Sequence, residues 1–216
     1  LDDEGALQGL LLAELDRLAK NRYGAHPPLA VLVQLDSLRQ RLRAAAAVHA
    51  ATVRAGWRII AAEEKFEAEL DGMLVKARID RIDRHLESGA IRILDYKTTD
   101  AGDGPAAIHY RPRNREWIDL QLPLYRHVYE QLHPGTDISV GYFNLPKATA
   151  DTAIHELNFA DKNGEDLYPS ALETARAVVA AIRAGTFWPP AILPLDRDDF
   201  AWLFAGDPPL IAEPDR

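Results

Sequence analysis

The chain has 216 residues, 47% of them hydrophobic and 27% charged, with a formal net charge of −8 and no cysteine. That composition suits one packed α/β domain and excludes a disordered chain, and no run approaches ~18 uninterrupted apolar residues, so no helical membrane span is expected. The lack of cysteine excludes disulfides and thiolate metal sites and fits a cytoplasmic protein, while the acidity argues against a broad nucleic-acid-binding surface and leaves room for a local one.

The start carries no basic, apolar leader. A first residue of Leu rather than Met suggests a domain cut from a longer protein. Leu7, Leu10, Leu11, Leu15 and Leu18 recur at helical spacing, which predicts an amphipathic helix over 4–20. Asp2 and Asp3 are both candidates for its cap. Asn21 to Pro28 reads as a turn, and an Ala- and Leu-rich helix follows over about 29–55, stopped by Gly56. His49 lies in that helix, where an ordinary packed or exposed histidine is the commoner case.

Trp57–Leu70 and Leu74–Arg84 read as two strands of a hairpin turned at Asp71-Gly72. On the second strand Met73, Val75, Ala77 and Ile79 share one face, and Lys76, Arg78 and Asp80 share the other. Asp83 falls with the first set and reads as structural. His85 falls in the next turn and reads as solvated. A further strand around Ile91–Lys97 places Ile91, Ile93, Asp95 and Lys97 on one side and Arg92, Leu94 and Tyr96 on the other.

Two carboxylates and an ammonium gathered on one sheet surface suit a magnesium-dependent phosphodiesterase. Mg2+ prefers hard oxygen ligands, binds through one or two carboxylates and the substrate phosphate, and keeps several waters. It orients the phosphate and acidifies a bound water. Asp80 and Asp95 are the candidate ligands, with the Tyr96 carbonyl as a third oxygen. Lys97 would position or help deprotonate the water and steady the pentavalent phosphate. The plain alternative is a surface ion pair of little consequence. The charges end an apolar face, which fits a partly buried site better.

Thr98 to Arg115 contains Gly102, Gly104, Pro105 and Pro112 and reads as a loop. Its Arg111, Arg113 and Arg115, with His109 and Lys97, form a basic group able to reach a DNA backbone. A solvated charged loop is the competing reading. A helix over 115–132 would carry Trp117, Leu120, Gln121, Leu124, Tyr125 and Val128 on one stripe. Pro123 sets it either to begin near Leu120 or to kink. Gln121 and Tyr125 lie one turn apart, so they can face the site together. Ile138–Leu145 reads as a buried strand and Ile154–Phe159 as one nearer the edge. Ser170–Ala184 reads as a helix capped by Ser170 and stopped by Gly185. Phe200, Trp202, Leu203 and Phe204 suggest an apolar clamp in the tail.

The run Arg78-Ile-Asp-Arg-Ile-Asp83, a turn, and Ile93-Leu-Asp-Tyr-Lys-Thr98 resembles the PD-(D/E)XK nuclease superfamily, closest to the nuclease domains at the C-termini of RecB and AddB helicase–nucleases. By that resemblance Asp80 and Asp95 match the catalytic Asp pair and Lys97 the catalytic Lys. Asp119-Leu-Gln-Leu-Pro-Leu-Tyr125 matches the branch's Gln-x-x-x-Tyr motif. Glu63 sits where the family often has a strand-borne Glu, with Glu64 as the competing choice. The resemblance covers roughly residues 50–190. It implies a restriction-endonuclease-like fold, a central mixed β-sheet flanked by α-helices, with helices over 1–56, the nuclease core over 57–190 and an apolar tail over 191–216. It also implies a Mg2+- or Mn2+-dependent DNA nuclease acting on single-stranded or end-containing DNA in repair, with a helicase domain or subunit as partner. Gln121 and Tyr125 would hold a phosphate or a water beside the site.

The chain departs from that branch in three places. Ala77 replaces the usual Gly. The first helix offers no metal-binding His, leaving His49 as the best N-terminal stand-in. The four cysteines of the cluster-bearing members are missing, so no iron–sulfur cluster is expected. These departures keep a second reading open, a degenerate nuclease fold that binds DNA or scaffolds a helicase complex. A metal-dependent hydrolase of another phosphate ester is the third.

Overall fold

The computed structural model describes residues 2–99 and 104–186. Helix α1 (Glu4–Tyr23) begins where the Asp3 carboxylate accepts the Ala6 amide at 2.9 Å, so Asp3 is the cap. Helix α2 (Leu29–Arg54) packs against it. The leucine stripe of α1 is only partly covered: Leu7 is buried, but Leu10 and Leu18 are 59% and 51% exposed. No helix among the described residues is long and apolar enough to cross a membrane.

Gly56 ends α2 at φ 93°, a left-handed value that glycine adopts without strain. A Cβ there would also come within 2.9 Å of the His85 ring. His85 is not simply solvated: its Nε2 donates to the Ala55 carbonyl and its Nδ1 accepts from the Ser88 amide, pinning the turn to the end of α2.

Strands β1 (Trp57–Leu70) and β2 (Met73–His85) form a long antiparallel hairpin. Asp71 and Gly72 both take positive φ, which is the turn an Asp-Gly pair favours between two strands. Strand β3 (Ile91–Lys97) pairs antiparallel with β2. The chain then makes helix α3 (Pro105–His109), the two-residue strands β4 (Tyr110–Arg111) and β5 (Glu116–Trp117), and helix α4 (Gln121–Leu132). Strand β6 (Ile138–Asn144) returns parallel to β3, and β7 (Ala153–Glu156) closes the edge antiparallel to β6. The main sheet runs β1-β2-β3-β6-β7, and helix α5 (Tyr168–Arg183) follows. This is a mixed sheet flanked by helices, of the restriction-endonuclease-like kind.

One face packs under α4, where Ile82, Ile93, Val140, Leu122 and Val128 are at most 1% exposed. Each such side chain contributes about 1.5–3 kcal/mol by leaving water. At the other face, α2 brings His49 against Arg81. There Asp83 is fully buried, a structural carboxylate. It takes two hydrogen bonds from Arg81, at 2.7 and 2.9 Å, and one from Arg92 at 3.0 Å. Arg92 also lies 4.2 Å from the Trp57 ring centre. Burial of these charges is tolerable because each is paired and hydrogen-bonded.

Three expectations are corrected. The segment 115–120 is not helical: Trp117 belongs to β5, and α4 starts at Gln121 after Leu120, the later start that Pro123 allowed, which leaves Pro123 in the first turn, where its missing N–H costs nothing. The 98–115 loop contains α3, begun by Pro105 after Gly104, and the first strand of a small hairpin. Ser170 is not the cap of α5, which begins at Tyr168. Its hydroxyl donates to the Leu167 carbonyl and accepts from the Trp117 indole.

By compactness the chain divides after Arg176. In the second unit, the described residues are the end of α5 and the Gly185 turn, where the Thr186 amide donates to Ala181. Residues 191–216, with Phe200, Trp202, Leu203 and Phe204, lie outside the described residues.

Candidate active site

The site forms where β2 and β3 part. Their backbone ladder ends at the Arg81–Leu94 pair. One residue further, the Asp80 carboxylate accepts the Tyr96 amide at 2.9 Å. That bond turns Asp80 toward β3, close enough for its charge to act on Asp95. Asp95 and Lys97 share a face of β3, and Tyr96 points away to stack near Phe143, 5.3 Å between ring centres.

The α4 helix completes the arrangement. The Lys97 ammonium lies 2.8 Å from Asp95 Oδ2 and donates to Gln121 Oε1 at 3.0 Å. Gln121 Nε2 donates to Asp95 Oδ1 at 2.8 Å and to the Tyr125 hydroxyl at 3.0 Å. The hydroxyl in turn donates to the Arg78 carbonyl at 3.0 Å. An ammonium can only donate and a carboxylate only accept, so the orientation of the Gln121 amide is fixed chemically. One turn of helix therefore holds the lysine, the second aspartate and the strand that carries the first.

Burial holds the Asp95 carboxyl above the ordinary carboxylate range, with Asp80 pushing the same way and Lys97 and Gln121 pulling against it. Burial likewise raises the Tyr125 hydroxyl, so it stays a neutral donor. On α2, Arg41 donates to the carbonyls of Thr98 and Leu145, both at 3.0 Å, tying together the chain ends that leave β3 and β6.

A second layer lies beneath. Tyr142 faces Asp95 across the parallel pair, and the Lys97 ammonium sits 4.8 Å from its ring centre. His109 is completely buried beside it. His109 Nδ1 donates to the Asp119 carbonyl at 2.8 Å, which leaves Nε2 as the acceptor for the Tyr142 hydroxyl. The Asp119 carboxylate accepts the Gln121 amide at 2.7 Å. Burial lowers the His109 pKa, so the ring is a neutral strut and not part of a basic rim.

The remaining candidates are placed elsewhere. Glu63, at φ 55°, pairs with Arg78 at 2.7 Å on the exposed hairpin surface, and its competitor Glu64 is exposed as well. His49 lies against Arg81 at 3.3 Å on the opposite face of the sheet. Arg111 pairs with Glu116 and Arg115 with Glu165, while Arg113 stands at the tip of the β4–β5 hairpin. Among the described residues no group of three or more His, Cys, Asp or Glu side chains is placed to hold a metal. Two carboxylates, those of Asp80 and Asp95, fit a hard cation that keeps much of its water, such as Mg2+ or Mn2+, and not a metal that needs a closed cage.

The PD-(D/E)XK nuclease superfamily model matches residues 1–191. The chain belongs to that superfamily. The match spans every described strand and all of the cluster around Asp80, Asp95 and Lys97. Members are nucleases that typically use Mg2+ or Mn2+, and the donor set here suits that requirement. No curated protein matches the chain significantly.

The sequence reading missed His109, Tyr142 and Asp119 as parts of the site. Asp119 stood only as the first letter of a motif. Tyr142 could be placed under Lys97 only once the β3–β6 register was known, because a parallel partner 47 residues downstream of Asp95 leaves no local spacing signal.

Proposed function

We propose that the chain is a Mg2+- or Mn2+-dependent deoxyribonuclease of the RecB-like branch. Its reaction is phosphodiester hydrolysis on single-stranded or end-containing DNA during recombination and repair, beside a helicase domain or subunit. The observation that carries this reading is the Gln121 amide bridging Lys97 and Asp95 while Asp80 is held at the Tyr96 amide. A simple surface ion pair needs neither a second carboxylate nor a helix-borne amide to fix its geometry.

Asp80 and Asp95, with the Tyr96 carbonyl, would hold the cation, which when bound polarises the phosphate and makes water more acidic. Lys97 directs its ammonium to the attacking water and to the charge that grows on the phosphate oxygens. Gln121 and Tyr125 act as positioning residues, since both Gln121 amide hydrogens and the Tyr125 proton already have acceptors within the protein. Of the three loop arginines, Arg113 contacts the DNA backbone and sets the strand's position without reading its sequence, while Arg111 and Arg115 beside it are held by Glu116 and Glu165.

The test is cleavage of labelled single- and double-stranded DNA with Mg2+ or Mn2+, comparing the native chain with Lys97→Ala. Loss of cleavage in a folded variant supports the assignment. Equal cleavage by both removes Lys97 from the mechanism. No cleavage by either favours a fold kept for DNA binding or scaffolding.

A further inference from the structure

A second cleft opens between the β4–β5 hairpin and the loop from Leu157 to Leu167, with a volume of about 620 Å3. Neither Asp80, Asp95 nor Lys97 lines it. Its floor is aromatic and apolar: the Tyr110 and Trp117 rings lie 5.0 Å apart between centres, with Leu157 and Leu167 beside them. Its rim is basic, through Arg113 and Lys162. Neighbouring cations are engaged, Arg111 by Glu116 and Arg115 by Glu165, whereas Arg113 and Lys162 have no ion-pair partner among the described residues. The Asp161 carboxylate also lines the cleft, but it is turned into its own loop, where it accepts the amides of Asn163 and Glu165.

The two walls are latched. Arg115, on the hairpin, bonds Glu165, on the loop, at 2.9 Å. Its backbone takes φ 53°, a left-handed value unfavourable for a residue with a side chain. Such a conformation persists where the surroundings fix it.

We propose that this cleft binds one unpaired nucleotide of single-stranded DNA, with the base against the part-exposed Tyr110 ring, which the buried Trp117 backs, and its phosphates at Arg113 and Lys162. The inference rests on the nuclease reading and deepens it by naming a substrate subsite. A stacking platform beside a positive groove is how single strands are held without sequence readout. A base inside a duplex has both faces covered by its neighbours, so only an unpaired base can offer one to the floor. The reach is suitable. Gln121, which holds Lys97, follows Trp117 by four residues, so their backbones are at most about 14 Å apart. That is about four nucleotides at the 3.4 Å spacing of one stacked strand. The cleft would hold the strand a few nucleotides from the bond being cut and would favour frayed or single-stranded ends over closed duplex.

The test is equilibrium binding of a short fluorescent oligothymidylate to the whole chain, in chelator so that nothing is cleaved. Tyr110→Ala is expected to weaken binding by roughly 5- to 150-fold, the worth of one base–aromatic stack. Replacing Arg113 and Lys162 together by Gln should reduce the slope of log affinity against log salt by about 1.4, two single-strand phosphate contacts. A 5-iodouracil oligomer should cross-link within residues 110–117. Blunt duplex should compete poorly. Variants with unchanged melting that bind like the native chain overturn the proposal, as does equal competition by duplex or failure of the native chain to bind the oligomer. Binding as expected from a chain that cuts no DNA would support the cleft and strike only the catalytic reading.

Discussion

His109 and Tyr142 offer a measurable test of how the fold holds Lys97, the proposed catalytic lysine. Both are fully buried, so water cannot replace a lost partner. His109→Phe leaves the Tyr142 hydroxyl and the Asp119 carbonyl without their partner, two orphaned groups at about 1–3 kcal/mol each. Tyr142→Phe leaves only His109 Nε2 orphaned, at about 1–3 kcal/mol. The double variant leaves only the Asp119 carbonyl. At the low end of the range the single changes cost about 2 and about 1 kcal/mol and the pair costs about 1, so the coupling is about 2 kcal/mol. Urea unfolding of all four proteins measures it. A coupling under about 0.5 kcal/mol, the usual error of additivity, would refute the buried hydrogen bond as drawn. Cleavage should fall further in His109→Phe than in Tyr142→Phe. Only the histidine also braces Asp119 and, through it, the start of α4 at Gln121.

Three further outcomes are expected. Gln121→Leu should keep the fold but lower cleavage by about 10- to 100-fold, the usual effect of losing a partner that orients a ligand; activity within twofold of the native chain would remove Gln121 from the site. Asp83→Ala strands the Arg81 and Arg92 guanidiniums and should cost about 3–5 kcal/mol in denaturant unfolding, and a loss below about 1 kcal/mol would contradict the buried network. The depressed pKa of His109 means that below pH about 6.5 the unfolded chain takes up a proton that the folded chain refuses, so its contribution to stability is present above that pH and lost as pH falls. His109→Phe should therefore flatten the acid side of the stability–pH curve. His49, depressed in the same direction, should keep a residual slope, and an unchanged curve would show that His109 titrates normally.

The helices, the long hairpin and the buried strand were legible because each repeats its period over enough residues. The two-residue strands β4 and β5 carry no period, so the stretch from Thr98 to Leu120 was misread in both directions, as loop before Arg115 and as helix after it. Trp117 illustrates the confusion: it lies four residues before Gln121, on the helical stripe by count, yet tertiary pairing with Tyr110 decides its backbone. Strand alternation alone put Asp95 and Lys97 on one face of β3, where the structure has them as an ion pair. Asp80 needed more, since its carboxylate takes over from the ladder at the point where β2 and β3 separate. Glu63 shows the limit of position-matching. It lies beside that same point in β1, but its left-handed backbone directs it to Arg78. His109 looked basic from its neighbours in sequence and is neutral because burial decides its charge.

The distribution of charge bears on how the chain would meet DNA. Its net charge is −8, and several cations near the carboxylates are committed: Lys97 to Asp95, Arg111 to Glu116 and Arg115 to Glu165. Arg113 and Lys162 remain, so the cleft supplies about two phosphate contacts and a salt slope near −1.4 on single strands. That is a shallow electrostatic grip, and one stacked base adds only about 1–3 kcal/mol to it. Affinity of that size suits a domain to which strand is delivered, which is the physical argument behind the proposed helicase partner. The consequence is measurable. Tethering the chain to a non-cleaving single-strand-binding module should raise cleavage at low DNA concentration by the effective concentration of the tether, up to ~100-fold or more, without altering the rate at saturating DNA. An unchanged low-concentration rate would mean that the chain already holds its substrate unaided, and the argument for a delivering partner would fail.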